Sequence, residues 1–233
     1  MLGRWRLKDL GPILLAAFLS LALLQLLGPD PAPEPETAAL ASFPPVVARS
    51  CDRAPGPQRL YDACADQRAL FEQAQAAAVA NGKVLLVSYG AEWCIWCHVL
   101  ERYLRGYDGT DAYEVEGTEQ AFGRANVDPA AAQALAAFAA ETFVLLHLEA
   151  QYSAEGAAVF DETGAIIEFD DWIPFVFTVD AAGDYAAHIQ RPDQHPALMV
   201  WDPSAPADKP KGIGYDRGVL LDDLRRLAAA ARP

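Results

Sequence analysis

The run KVLLVSYGAEWCIWCHVLERYL, residues 83–104, limits the fold more than any other stretch of the chain. It opens with seven residues that are almost wholly apolar, the mark of a central strand covered on both faces. It closes with Val99, Leu100, Tyr103 and Leu104 at helical spacing, ending at Gly106. Two cysteines, Cys94 and Cys97, fall at the junction. A cysteine where strand passes into helix faces unpaired backbone N–H groups and the positive end of the helix dipole, which favour thiolate. Such thiols ionise at about 3.5 to 7.5 instead of ~8.5. Three positions further along, Cys97 faces the same side of the helix and can reach a mixed disulfide formed on Cys94.

The surrounding pattern alternates helix and strand. LYDACADQRALFEQAQAAAVA, residues 60–80, has helical periodicity closed by Asn81 and Gly82. DPAAAQALAAFAAE is a helix opened by Asp128 and Pro129, FVLLHLEA at 143–150 a second buried strand, and Ser153 to Thr163 a further helix. IPFVFTVDAAGDYAAHI gives strand, turn at Ala181–Asp184 and strand, a hairpin. DRGVLLDDLRRLAAAA closes the chain as an amphipathic helix with Leu220, Leu224 and Leu227 on one face. Residues 106–127, acidic and glycine-rich, and 191–217, with five prolines, are expected to be insertions.

The N-terminus carries Arg4, Arg6 and Lys8 before an uncharged stretch from Gly11 to Gly28. That length suits the ~20 residues of a membrane span. The charge distribution keeps the N-terminus in the cytoplasm and sends the rest across. Residues 1–28 are thus expected to be a signal anchor or signal peptide, with the uncleaved anchor favoured. Residues 29–50 are then a linker rich in proline and alanine, and 51–233 one domain. The expected location is periplasmic or otherwise extracytoplasmic, at the inner membrane. The formal charge of −14 excludes nucleic acid as a partner.

The cysteine count fits an oxidising compartment. Four cysteines allow three pairings, and the short spacing favours Cys94 with Cys97, leaving Cys51 and Cys64 for each other. A Cys51–Cys64 bridge closes a loop of about 14 residues and contributes roughly 3 kcal/mol on a loop-entropy account. The alternative for this second pair is a redox relay to Cys97.

WCIWC opening a helix, IPFVF about 80 residues later, a hairpin and a final helix together resemble the thioredoxin superfamily, over about residues 60–231. More narrowly, AEWCIWCHVLERYL with DPAAAQAL and FVLLHLEA looks like the periplasmic thioredoxin-like domains attached to membrane thiol reductases. The resemblance implies an α/β thioredoxin-like fold, a mixed sheet flanked by helices. It implies a thiol:disulfide oxidoreductase in which Cys94 attacks and Cys97 resolves, without organic cofactor or metal. It further implies a cis Ile173–Pro174 peptide packed on the disulfide, with Ile173 and Trp93 shaping a docking surface. Partners are then protein thiols or disulfides and a membrane electron donor, and aliphatic Ile173 leans toward a reductase. The sequence departs from the family at Ser88, where thioredoxins usually carry an acid six residues before the first cysteine; Glu92, His98 or Glu101 are the candidates to replace it.

CIWCH also satisfies the C-x-x-C-H signature of covalent c-type haem, with His98 as one axial ligand and Met199, His147, His188 or His195 as the other. Zinc lacks a second ligand pair. A non-catalytic thioredoxin-like binding module, its disulfide merely structural, is the third reading. His147, within VLLHL, is expected to be a hydrogen-bonded core histidine.

Overall fold

The computed structural model describes residues 39–45, 52–109, 128–190, 199–201 and 213–232. The expected anchor at 11–28, Cys51, most of both expected insertions and about two thirds of the expected linker lie outside the described residues. Among the described residues no helix is long and apolar enough to cross a membrane.

A five-stranded mixed sheet organises the rest. The strands are β1 (Ala41–Phe43), β2 (Val84–Gly90), β3 (Phe143–Glu149), β4 (Phe175–Val179) and β5 (Tyr185–His188). Their order across the sheet is β1-β3-β2-β4-β5. β1 and β2 each run parallel to β3, whereas β4 is antiparallel to β2 and to β5. Every residue of β2, β3 and β4 is buried, as continuous apolar runs require. The helices are α1 (Gln67–Ala80), α2 (Ile95–Leu104), α3 (Pro129–Thr142), α4 (Ala154–Glu162) and α5 (Arg217–Ala230).

Side chains alternate across the sheet and divide the core in two. Val84 and Leu86 of β2, with Phe143 and Leu145 of β3, pack with Val99, Leu100 and Leu104 of α2, Leu135 of α3 and Leu220 and Leu224 of α5. On the other face Leu85, Val87 and Tyr89, with Val144, Leu146 and Leu148, meet Ala74 and Ala78 of α1 and Val159 and Phe160 of α4. The same alternation turns Ser88 and His147, which are register partners, toward the α2 face at the ends of β2 and β3. Two polar residues thus sit side by side beneath the helix that follows the cysteines.

Four helix starts are closed by side-chain oxygens: Asp66 accepts from the N–H of Ala69, Asp128 from Ala131, Ser153 from Gly156 and Asp216 from Val219. These caps locate the one misplaced helix boundary. Periodicity begins α1 at Leu60, but the Asp66 cap sets its start at Gln67, and residues 60–66 form a loop carrying Tyr61 and Cys64. Within the expected linker, Ala41–Phe43 adds an edge strand to β3. Within the second expected insertion, Met199–Trp201 (β6) and Ile213–Tyr215 (β7) pair as a separate two-stranded sheet. The hairpin turn falls at Ala181–Asp184, between β4 and β5 as expected, with Asp180 accepting from the N–H groups of Ala182 and Asp184.

Gly156, in the first turn of α4, lies against the end of β3, and a Cβ there would collide with the backbone carbonyl of Glu149. Helix propensity alone favours alanine at this position by about 1 kcal/mol. The collision involves backbone, which cannot rotate away, so overpacking of roughly 1–3 kcal/mol should outweigh it. Gly156→Ala is therefore expected to lower the thermal unfolding midpoint; a raised midpoint would show that α4 slides freely on β3.

Candidate functional site

Cys94 is the N-cap of α2. Its backbone is extended, its amide donates to the carbonyl of Ala91 at 3.0 Å, and its sulfur accepts from the N–H of Cys97 at 3.2 Å. Cys94 and Cys97 are joined by a disulfide with their Cα atoms 5.3 Å apart. The sulfur therefore takes the capping place that oxygen fills at the other four helices.

The two cysteines differ in access. Cys94 is 4% exposed yet lines an open groove of about 540 Å³ with Trp93, Ile95, Trp96, Asp171, Trp172 and Ile173. Cys97, at 1%, lies in a small cluster with Tyr61, against which Leu60, Trp96 and Ile173 pack. The Ile173–Pro174 peptide is cis, and Ile173 both meets the disulfide cluster and forms a wall of the groove. Trp93 is 61% exposed, and its indole N–H donates to the side-chain carbonyl of Gln151. The structure thus brings Cys94, Cys97, Trp93, Ile173 and Pro174 together. Cys64 is disulfide-bonded, and Cys51, its expected partner, lies outside the described residues.

The turn before Cys94 is held by Glu92. One carboxylate oxygen of Glu92 accepts from the backbone N–H groups of Leu60 and Tyr61 at 2.9 and 3.1 Å; the other is 3.5 Å from Arg59. His98 Nε2 lies 2.6 Å from the Glu92 carbonyl oxygen, bracing the first turn of α2 against the loop. One carboxylate oxygen of Glu101 is 3.1 Å from His147 Nε2 and the other accepts from Arg105 Nε at 2.5 Å. Of the three expected substitutes for an acid at Ser88, two bind loop or helix backbone and the third pairs with other charges. His147 is the hydrogen-bonded core histidine expected, with the Tyr61 ring packed edge-on against it.

The Ser88 hydroxyl is 2.8 Å from the Tyr61 hydroxyl, within the buried floor below the cysteines. Burial pushes the Tyr61 phenol far above its usual range, more than the hydrogen bond to Ser88 lowers it, and the charges of Glu101 and Glu92 add to the rise. Tyr61 had no signal in the sequence, because it precedes α1 on an irregular loop. Trp172, 43% exposed and lining the groove, also sits on an irregular segment and carries no periodic signal in the sequence.

The haem arrangement does not fit these residues. It needs both sulfurs and a free histidine, whereas the sulfurs are bonded to each other, Cys97 is enclosed, and His98 Nε2 meets a backbone carbonyl oxygen. Among the described residues, no three His, Cys, Asp or Glu side chains cluster as a metal centre needs.

No family model matches the chain, and no curated protein matches it. A solved structure described as the crystal structure of disulphide isomerase from Xylella fastidiosa Temecula1 is similar at a TM-score of 0.38 and 22% identity, over 55% of this chain and 76% of that one. Similarity at that level carries no functional argument, which rests instead on the geometry of the site.

Burial alone would push the Glu101 carboxyl up, but the hydrogen bond and charge of His147, together with Arg105, outweigh it and hold the group below its ordinary 4.5. A carboxyl depressed by folding contributes stability that is present above its unfolded value and lost as pH falls through its folded one. Glu101→Gln should therefore destabilise the protein by roughly 1–3 kcal/mol at neutral pH. The difference from the parent should shrink as denaturation is followed below pH 4.5. A difference independent of pH would mean that charge at Glu101 is not what holds His147.

Proposed function

We propose that the chain is a thioredoxin-like thiol:disulfide oxidoreductase acting on protein cysteines outside the cytoplasm. The observation that carries this reading is the asymmetry of the pair: one sulfur caps a helix and borders an open groove, the other is enclosed beneath it. An ionised Cys94 attacks one sulfur of a substrate disulfide. A Cys94–substrate bond forms, the substrate S–S bond breaks, and its electron pair leaves on the second substrate sulfur. Cys97 then attacks the Cys94 sulfur, the bond to substrate breaks, and the substrate departs reduced by two electrons while the protein regains its disulfide. A thiol donor at the membrane restores the dithiol.

Two physical effects support Cys94 as the attacking group. The N–H of Cys97, aimed at the sulfur in the disulfide state, remains a donor to the thiolate once the bond is opened, and the end of the α2 dipole adds to it. The groove walls, with Trp93 and Trp172 exposed, suit an extended apolar segment of a substrate, and the family resemblance gives the backbone of Ile173 the role of pairing with it. Aliphatic Ile173 supports electron delivery over disulfide formation. Basic residues ahead of an uncharged apolar N-terminal stretch support an anchored location facing away from the cytoplasm.

Cys94→Ser should abolish disulfide reduction in a coupled assay. Cys97→Ser should retain attack and accumulate a mixed disulfide that mass spectrometry detects on Cys94. Equilibration of the parent protein with glutathione should give a potential at or below about −230 mV; a value above about −150 mV would reverse the direction to oxidation. Turnover surviving Cys94→Ser would overturn Cys94 as the attacking group, and a parent protein without turnover would leave a binding module.

A further inference from the structure

Cys97 poses a problem that the exchange chemistry leaves unsolved. To attack the mixed disulfide its sulfur must carry negative charge while enclosed, and burial disfavours a thiolate unless hydrogen-bond donors meet it. The place from which an acid would accept its proton is occupied by Ser88.

What lies there is a pair of hydroxyls. The fully buried Tyr61 shares a hydrogen bond with Ser88 in which either oxygen can donate. Tyr61 Oη and Cys97 Sγ are each 2.7 Å from the point where a Cβ on Gly90 would stand, so the two atoms share the space that this glycine leaves open. Gly90 does not have a left-handed backbone, so its need for glycine is one of room. Tyr61 is fixed from behind, because Glu92, two residues before Cys94, holds its backbone N–H.

The other ionisable groups around this point have their own partners. Glu92 binds the 60–61 backbone, Glu101 binds His147 and Arg105, His98 meets the Glu92 carbonyl, and Tyr215 donates to the Trp96 carbonyl. Asp171 lies across the groove, beside Trp172.

The geometry points to Tyr61 as the hydrogen-bond donor that stabilises the Cys97 thiolate during resolution, with the Ser88 hydroxyl donating to Tyr61 Oη to leave its proton free for sulfur. The inference rests on the exchange reading of this site. Tyr61 keeps its proton throughout: Cys97 releases its own to solvent water, the Cys97–Cys94 bond forms as the Cys94–substrate bond breaks, and the departing substrate sulfur takes up a proton from solvent. A phenol with its ionisation driven upward by burial remains a donor across the working pH range. A buried polar pair thus stabilises the thiolate without placing a second negative charge beside it.

The test follows decay of the mixed disulfide between Cys94 and glutathione against pH, in the full chain and in Tyr61→Phe and Ser88→Ala. Tyr61→Phe should slow resolution at neutral pH about tenfold or more and move its pH midpoint to higher values. Alkylation of Cys94 in the reduced protein should keep its parental rate. Ser88→Ala should shift the midpoint in the same direction by less, and it decides the matter if Tyr61→Phe does not fold. Parental midpoints in the folded variants would overturn the role of Tyr61 and leave the exchange reading intact. A parent protein that forms no mixed disulfide at all would overturn both.

Discussion

Capping of α2 by a sulfur is the interaction on which the site depends. A helix start leaves four N–H groups without partners, and in α1, α3, α4 and α5 an oxygen from Asp or Ser answers one of them. At α2 the same task falls to Cys94, a weaker acceptor as a disulfide and a strong one as a thiolate. The cap therefore gains strength when the disulfide opens, which couples the local stability of the helix to the redox state of the pair. No other helix start among the described residues is built this way.

That cap would be useless without its supports. The turn from Gly90 to Cys94 is fixed by Glu92 and His98, and the loop of residues 59–61 is drawn under it by the Glu92 carboxylate. Alternation along β2 and β3 then delivers Ser88 and His147 to the underside of α2 in adjacent positions. One engages the Tyr61 hydroxyl and the other the Glu101 carboxylate, so the polar groups beneath the disulfide have partners in an otherwise apolar core. The upper side is apolar and open, with two exposed tryptophans flanking the groove that Cys94 borders. In the proposed exchange, Cys94 between a polar floor and an accessible apolar wall can meet a partner while Cys97 stays enclosed.

Much of this was legible in the residues. Continuous apolar runs marked β2 and β3, Asp128–Pro129 marked the start of α3, and IPFVF placed a proline at the head of β4 beside the cysteines, where the cis peptide is found. What escaped has physical reasons. Ala41–Phe43 is too short to show alternation and is held by tertiary contacts, its pairing with β3 and the bond from Arg105 to the Ser42 hydroxyl. Leu60 and Cys64 happen to continue the periodicity of α1, and only the Asp66 cap reveals that the helix begins later. Tyr61 and Trp172 reach the site from irregular loops whose paths depend on tertiary contacts, Tyr61 through Glu92 and Trp172 through its neighbour Ile173. Ser88 was visible as a departure from a family pattern, but the hydroxyl facing it was not.

On this reading the start of α2 holds Cys94 as a thiolate while Cys97 is shielded. The rate of iodoacetamide alkylation of the reduced protein, followed by peptide mass against pH, tests it most directly. Cys94 should react first, with a midpoint between about 3.5 and 7.5. A midpoint near the free-thiol value of about 8.5, or equal reaction at Cys97, would contradict it.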